Sequence, residues 1–492
     1  MKTKNMIPVI GIALFLNGCS FMPKYLRPKP PVPAVLPHGG AYAEKAPQDA
    51  VPAAALRWQD VFPDRNLQNV IELALMNNRD LRLAMLNVER SRALYGVQKA
   101  ELFPSVTASA AGSKSRVPAD LSSSGNVAYS EKYNVDLGIT AWEIDLSGRI
   151  RSLKEQALQE YLGTEQARRG ARISLISETA RAYLALAADL EKMNVARATL
   201  ELQQNVYGMM GQQYDKGVAT EMDLRRAQIQ VDAAKSDIAR YTQTVAQDRN
   251  ALDLLAGCTV PEEFLPSGLA GVSPLKDIAP GLSSEVLLRR PDIMAAEHQL
   301  KAAYAFVGAA RAAFFPRISL TTTLGTASKD LSGLFDTGSN TWSFVPQASM
   351  PVFDARTHAA YRVSKATRDI ALAQYEKSIQ TAFREVADAL ATRGMADQQL
   401  TMQEAIAGSA QKIYELANER YTRGIDSYLS VLDAQRSLYA AQQDLTSLRL
   451  ARLASQVRLY AALGGDGEAE EAGPAVVPPK HAKKWKLLFW KK

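Results

Sequence analysis

The chain of 492 residues repeats itself, and this duplication limits its fold more than any other feature. A first block matches a later one at a constant offset of 212 residues, and a second block matches at an offset of 207. Matched positions include Asp80 with Asp292, Gly96 with Gly308, Phe103 with Phe315, Tyr214 with Tyr421, and Gly217 with Gly424. A duplication of roughly 200 residues predicts one supersecondary unit that is used twice.

Each copy predicts the same order of elements. A helix of about 30 residues ends at the Phe-Pro pair, because proline cannot continue a helix. Two strands follow it. They are predicted near 105–116 and 130–143 in the first copy, and near 317–327 and 341–352 in the second. Long helices come last, and residues 149–209 contain no proline, so that they can form one helix of about 90 Å.

The first 18 residues have the pattern of a secretory signal peptide. The apolar run from Ile7 to Leu16 is too short to span a membrane. It leads into Leu16-Asn17-Gly18-Cys19, which resembles a bacterial lipoprotein cleavage site, although Asn17 stands where a smaller residue is usual. An ordinary signal peptide with a chance cysteine is the alternative. We favour acylation of Cys19, because this cysteine lies where cleavage is expected.

These patterns divide the chain into five segments. The boundaries are a signal peptide over 1–18, an acylated proline-rich linker over 19–60, a first structural repeat over 61–270, a second repeat over 271–465, and a tail over 466–492. The tail is expected to be disordered, because the stretch that opens it lacks periodicity. The alternative is an interfacial membrane segment, since the end of the tail is basic and aromatic.

Charge and composition exclude several classes of protein. The net charge is +7, but eight lysines near the two ends supply it, so that the body is close to −1 and has no basic face for nucleic acid. The four histidines stand in no metal-binding motif, and two cysteines cannot form a disulfide framework. No nucleophile motif accompanies the acidic residues Asp136, Glu143 and Asp145. The sequence therefore indicates no enzyme, no cofactor and no metal.

The four predicted strands have the length, about 9–11 residues, that crosses an outer membrane. A sheet in lipid must close, because an open edge leaves backbone groups unpaired. Four strands cannot close alone, since the smallest known barrels have about eight. A membrane-spanning sheet would therefore need several subunits, and a trimer would supply twelve strands. The alternative is a soluble periplasmic α+β protein with two separate hairpins. The duplication favours the ring, since repeated units form tubes readily.

Several motifs together resemble those of a known family. They are Trp58–Phe62, Asn78–Leu81, Phe103–Pro104, Trp142–Leu146, Leu287–Ile293, Ala310–Pro316 and Tyr421–Gly424. With the lipoprotein site, they resemble the TolC-like outer-membrane factors, and most nearly the OprM-type efflux lipoproteins, from the signal to about Gly465. The resemblance implies a mainly α fold with a small β part. In that fold a trimeric α-helical barrel joins a twelve-strand outer-membrane β-barrel, with four strands from each protomer.

The resemblance also implies the function of an exit duct in a tripartite multidrug efflux system. Its partners would be two further copies of the chain, a periplasmic adaptor, an inner-membrane pump of the resistance-nodulation-division class, and outer-membrane lipid. The duct would lie in the outer membrane of a Gram-negative bacterium, anchored by lipid and with a long periplasmic part. It would bind no nucleic acid and perform no chemistry.

Two kinds of site carry over from this family. A leucine ring and an aspartate ring close the periplasmic mouth of the tunnel. Leu429 and Asp433 match them in spacing and context, and i and i+4 share a helix face. Arg436 would pair with a neighbouring carboxylate and hold the mouth shut. The alternative for Asp433 is an ordinary surface carboxylate.

The second kind of site is the pair of helix-turn-helix tips that meet the adaptor. Tyr214 and Gly217 mark the first tip, and Tyr421, Arg423 and Gly424 mark the second. Each glycine supplies the positive φ of a tight turn. The alternative is a plain turn between helices.

Two other functions stay open at this point. The exit duct of a type I protein-secretion system has the same architecture, and no residue identifies the cargo. A non-channel coiled-coil lipoprotein that supports the periplasmic envelope is the second alternative.

Overall fold

A computed structural model describes residues 20–42, 51–52, 57–123, 125–273, 275, 278–279 and 283–465. The signal peptide, Cys19 and the tail over 466–492 lie outside the described residues. The described chain is mainly helical and contains a small sheet of four strands, and residues 51–52 pair with residues 278–279 in a second sheet of two short strands. This composition of elements confirms the fold class that the sequence predicts for a single protomer.

The two repeats contain matching elements. The first holds α1 (Arg65–Asn77), α2 (Arg79–Ala100), β1 (Val106–Val117), β2 (Ala128–Ile144), α3 (Arg149–Asp215) and α4 (Glu221–Ala256). The second holds α5 (Pro291–Ala312), β3 (Arg317–Ser328), β4 (Asn340–Ser349), α6 (Ala355–Thr422) and α7 (Tyr428–Ala462). The long helices α3 and α6 have 67 and 68 residues. At 1.5 Å per residue each spans about 100 Å.

The prediction of one first helix is wrong for the first repeat, where α1 and α2 meet at Asn78. The Asn78 backbone is extended, and its side-chain oxygen accepts hydrogen bonds from the N–H groups of Asp80 and Leu81. Its side-chain amide donates to the Leu255 carbonyl at 3.0 Å. Asn78 therefore starts a new helix and also ties that helix to the end of α4.

The second repeat has a corresponding joint, but a charged arginine forms it in place of a neutral asparagine. Arg290 precedes α5 as Asn78 precedes α2, and its guanidinium donates to the Ala462 carbonyl at the end of α7, at 2.7 Å. The same guanidinium pairs with Asp292 at 2.7 Å and with Glu385 at 2.8 Å. Arg290 is 7% exposed. One buried cation thus joins the start of α5, the end of α7 and the middle of α6.

The four strands form an antiparallel sheet in the order β1-β2-β3-β4. Leu137, Leu324 and Trp342 are direct cross-strand partners, and all three are exposed. In the next row Thr323 and Ser343 hydrogen-bond each other at 2.7 Å. The two faces of the sheet are therefore different, one with exposed apolar side chains. Among the described residues, the outer edges of β1 and β4 have no partner strand.

The pairing of β2 with β3 breaks near the end of β2. Its pairing with β3 is regular up to Ile139 and resumes at Trp142. Between them Ala141 has a φ of 50°, which is uncommon for a residue with a Cβ. Its N–H donates to the Thr321 hydroxyl at 3.1 Å. A bulge therefore interrupts the regular strand between Ile139 and Trp142.

The main core lies where the short helices cross the long ones. Its largest fully buried side chains include Trp58, Phe62, Tyr183, Tyr375 and Tyr460, and the Phe62 and Tyr460 rings meet edge to face at 5.5 Å. This core fixes the middle of the molecule, and the sheet and the paired helix ends project from it. Among the described helices, none is both long and apolar enough to cross a membrane.

Candidate functional site

Two tight turns end the helix pairs α3–α4 and α6–α7. Gly217 and Gly424 take left-handed conformations there, with φ of 73° and 71°. The Gly217 N–H donates to the Tyr214 carbonyl, and the Val218 N–H donates to the Gln213 carbonyl, both at 2.8 Å. The second turn repeats both bonds. These bonds satisfy the last carbonyls of each helix and make the turns rigid.

The tips present apolar and aromatic side chains to solvent. Val218 is 76% exposed and Ile425 is 56% exposed, and each directly follows its turn glycine. Tyr214 is also exposed, whereas Tyr421 is half-buried. The Tyr421 hydroxyl donates to the Gln213 side-chain oxygen at 3.3 Å. The two tips are therefore joined to each other and leave their outermost apolar residues uncovered.

An ion pair across the turn distinguishes the second tip from the first. Arg420 donates to both carboxylate oxygens of Asp426, at 2.6 Å and 3.0 Å. These hydrogen bonds hold the pKa of Asp426 below its usual value. Arg423 pairs with Glu419 one helical turn before it. The first tip has Gln213 at the position of Arg420, so that it cannot form the same pair. The sequence alone does not reveal this pair, because its partners lie on opposite sides of the turn.

The predicted mouth residues lie together on the first turns of α7. Leu429, Asp433 and Arg436 are all exposed, while Val431 and Ala434 on the other side of the helix are buried. Within the described part of the chain, neither Asp433 nor Arg436 forms a side-chain ion pair. The structure therefore places the three residues on one free helix face, as their spacing requires.

The acidic residues at the base of the sheet are bound by arginines. Glu143 accepts hydrogen bonds from Arg149 at 2.9 Å and 2.8 Å, and it also pairs with Arg317. Asp145 accepts from the Arg151 backbone N–H at 2.9 Å. These pairs join the strands to the start of α3. Their carboxylates are structural, and among the described residues no group of three or more metal-ligating side chains converges.

The first part of the described N-terminal segment, residues 21–27, lies along α5. The Phe21 ring stacks on Phe315, just before β3, with centroids 4.1 Å apart. Further along, Glu297 accepts a hydrogen bond from the Tyr25 hydroxyl at 3.1 Å and pairs with Arg27. The segment that follows Cys19 is thus held at the junction of helix and sheet.

The surface of α5 that contacts this segment has two features that suit the contact, a buried carboxylate at Glu297 and a glycine at Gly308. Glu297 is 5% exposed and also binds Lys301 at 3.0 Å. Burial alone would raise the pKa of Glu297, but hydrogen bonds from its cationic partners hold this pKa below its usual value. A Cβ at Gly308 would lie 2.8 Å from the Met22 Cα, whereas a Cβ at the matching Gly96 would meet nothing within 4 Å. The N-terminal segment therefore passes close to the glycine of the second repeat, Gly308, and not to the matching glycine of the first.

Comparison with known proteins connects this geometry to a family. The model of the family described as outer membrane efflux protein matches residues 70–258 and 282–465. The solvent efflux pump outer membrane protein SrpC of Pseudomonas putida is 45% identical over 466 residues, which are 94% of this chain and 98% of that protein. The outer membrane protein OprJ of Pseudomonas aeruginosa is 41% identical over 462 residues, 93% and 95% of the two chains.

Solved structures show the same likeness in three dimensions. A membrane protein from Pseudomonas aeruginosa has a TM-score of 0.84 at 40% identity, over 91% of this chain and 98% of that one. The open state of the MtrE outer membrane channel of Neisseria gonorrhoeae has a TM-score of 0.82 at 37% identity, over 91% and 99%. The family consists of efflux ducts rather than enzymes. The chain belongs to the outer membrane efflux protein family.

Proposed function

We propose that three copies of this chain form the outer-membrane exit duct of a tripartite efflux system, which receives its cargo from a periplasmic adaptor and an inner-membrane pump. The observation that carries the proposal is the small sheet with two unpaired edges, in a chain of this family. Exposed edges in lipid cost several kcal/mol for each unpaired backbone group. Edge β4 of one copy therefore pairs with β1 of the next, and twelve strands close the barrel.

The exposed apolar row of the sheet supports its place in the membrane. Leu324 is 67% exposed and Trp342 is 77% exposed, although the two are cross-strand partners. In water such a row favours aggregation, whereas in a bilayer it faces lipid. The polar row with Thr323 and Ser343 then lines the interior of the barrel.

The helices leave matching faces uncovered. Helix α3 packs against both short helices, α2 and α5. Of these two short helices, α6 packs extensively against α5 alone among the described residues, in addition to its contact with α7. Ala309 on α5 is 7% exposed, but Val97, which matches it on α2, is 65% exposed. On α6, Ile370 is 70% exposed. In the trimer, α2 of one copy lies against α6 of its neighbour and covers both faces.

This assembly places the free face of α7 at the periplasmic mouth. Three copies of Leu429 and Asp433 then form two rings one helical turn apart. Arg436, which has no ion-pair partner within the described protomer, is placed to pair with a carboxylate of a neighbouring copy. These contacts close the duct when no adaptor is bound.

Acylation of Cys19 anchors each copy. The proposal is supported by the position of Phe21, which lies against Phe315 directly before strand β3. Only Ser20 separates Phe21 from Cys19, so that an acyl chain on the cysteine reaches the membrane into which β3 runs. Cleavage before Cys19 removes the signal peptide over 1–18.

Native mass spectrometry of the detergent-purified protein tests assembly and acylation together. We expect a complex of three protomers, each lacking residues 1–18 and carrying lipid on its first residue. A Cys19→Ser variant should lose the lipid mass. A monomer would contradict the closed barrel and would favour the envelope scaffold instead. An unmodified trimer would contradict acylation alone.

The helical tips dock the adaptor. Their outermost apolar residues, Val218 and Ile425, lie on turns that helix-end hydrogen bonds already hold rigid, so that docking requires little ordering. We expect Val218→Asp with Ile425→Asp to weaken adaptor binding by about tenfold or more, because each buries a carboxylate at the contact. Surface plasmon resonance with the immobilised adaptor measures this loss.

Leu121→Asp is the matched control for the tip variants. Leu121 is 75% exposed and lies in the loop between β1 and β2, at the opposite end of the molecule. It should bind the adaptor as the unchanged protein does. Equal binding by the tip double variant would show that the adaptor contacts another surface.

We propose small molecules rather than proteins as the cargo. Relatives that cover nearly the whole chain are named as solvent, toluene and antibiotic efflux pump outer membrane proteins. These names favour efflux over the type I secretion alternative, which has the same architecture.

A further inference from the structure

The first turns of α4 are the counterpart of the mouth face on α7. The offset of 207 residues places Met222 on Leu429 and Arg226 on Asp433. Met222 is 58% exposed and Leu429 is 46% exposed. The residues that follow Arg226 and Asp433, Ala227 and Ala434, are both buried. The two helices therefore present the same face to the same surroundings.

The charges on these matching faces are opposite. The Arg226 side chain is 38% exposed, and its ion pair with Asp223 is loose, at 3.8 Å. Asp433 is exposed and, among the described residues, has no side-chain ion pair. One turn further, Arg436 matches the uncharged Ile229. Ala227 packs into one buried cluster with Val431 and Leu432, so that the arginine and the aspartate lie at one level of the molecule.

We infer that Arg226 sets the ion selectivity of the duct, because three arginines on α4 alternate with three Asp433 carboxylates around the mouth. The inference rests on the trimeric channel proposed above. A ring of aspartates alone concentrates cations at a constriction. Positive charges within a Debye length of about 8–10 Å cancel much of that potential. The mouth therefore admits anionic and cationic solutes with similar ease, which suits a duct for chemically varied cargo.

Ion permeability in planar bilayers tests this inference. The trimer is reconstituted, and the reversal potential in a KCl gradient gives the permeability ratio of potassium to chloride. Arg226→Gln should raise this ratio by about twofold or more, since three positive charges leave the ring. Asp433→Asn should lower it. Arg226→Lys keeps the charge and should retain the ratio of the unchanged protein.

Lys412→Gln is the control for removal of a cation elsewhere. Lys412 is 69% exposed. Ala410 and Tyr414 lie on the packed side of α6. Lys412 is two residues from each of them, which is about half a turn, and so it lies on the face of α6 turned away from α7. This variant should leave the permeability ratio unchanged. An unchanged ratio in Arg226→Gln, or an equal rise in Lys412→Gln, would overturn the inference and leave the conducting trimer intact. The absence of any conductance from the unchanged protein would overturn the proposed channel, and this inference with it.

Discussion

Replacing Leu429 and Asp433 together by alanine is expected to raise the single-channel conductance severalfold. In the proposed trimer these side chains narrow the mouth in two rings, and each projects from a helix whose other side is buried. Truncation removes the apolar ring and the charged ring but leaves the packing of Val431 and Ala434 unchanged. Recordings from single trimers in planar bilayers measure the conductance.

The single variants and a matched pair on α6 control this result. Leu429→Ala and Asp433→Ala should each give a smaller rise, because one ring still narrows the mouth. Leu416 is 46% exposed, as is Leu429, and Glu415 beside it is 48% exposed. Leu416→Ala with Glu415→Ala should leave the conductance unchanged. A double Leu429 and Asp433 variant that conducts like the unchanged protein would contradict the assignment of the mouth.

Replacing Arg290 by alanine is expected to lower the free energy of unfolding by about 3 kcal/mol. Arg290 is 7% exposed, and its loss leaves the Ala462 carbonyl without its donor at a buried joint. It also leaves Glu385 without its cation. The midpoint of denaturant unfolding, followed by circular dichroism of the helices, measures the change.

The neighbouring arginine is a natural control. Arg289 is exposed and precedes Arg290 directly, so that Arg289→Ala should change the unfolding free energy by less than about 0.5 kcal/mol. Asn78→Ala removes the matching bond of the first repeat, which is a neutral hydrogen bond, and should cost about 1–2 kcal/mol. Equal stability of the two arginine variants would show that the joint does not depend on Arg290.

The joint at Arg290 shows that a sequence motif can be recognised although the role of its residues is not evident from the sequence. The run from Leu287 to Ile293 contributes to the family resemblance, but the spacing of its residues does not tell which arginine is buried. That depends on the end of α7, which lies about 170 residues away in the chain and contacts Arg290 only after folding.

The family resemblance points to the mouth and the tips, and local rules agree with it. The i, i+4 spacing of Leu429 and Asp433 places them on one helix face, and the turn glycines need positive φ. The pair between Arg420 and Asp426 was missed, because its geometry is set by the turn rather than by helical spacing. The binding roles of these residues stay predictions, since they depend on neighbouring copies and partners.

The sequence by itself determined the duplicated order of helices and strands, because proline, glycine and hydrophobic periodicity act over short distances along the chain. Only the tertiary structure decided the bond that ties Asn78 to the end of α4, the bulge at Ala141 and the course of the N-terminal segment over Gly308. Each of these depends on a contact with a residue far away in sequence: the Leu255 carbonyl, the Thr321 hydroxyl and the backbone of Met22. Such contacts form when packed helices and strands bring distant groups together, and local propensity does not encode them.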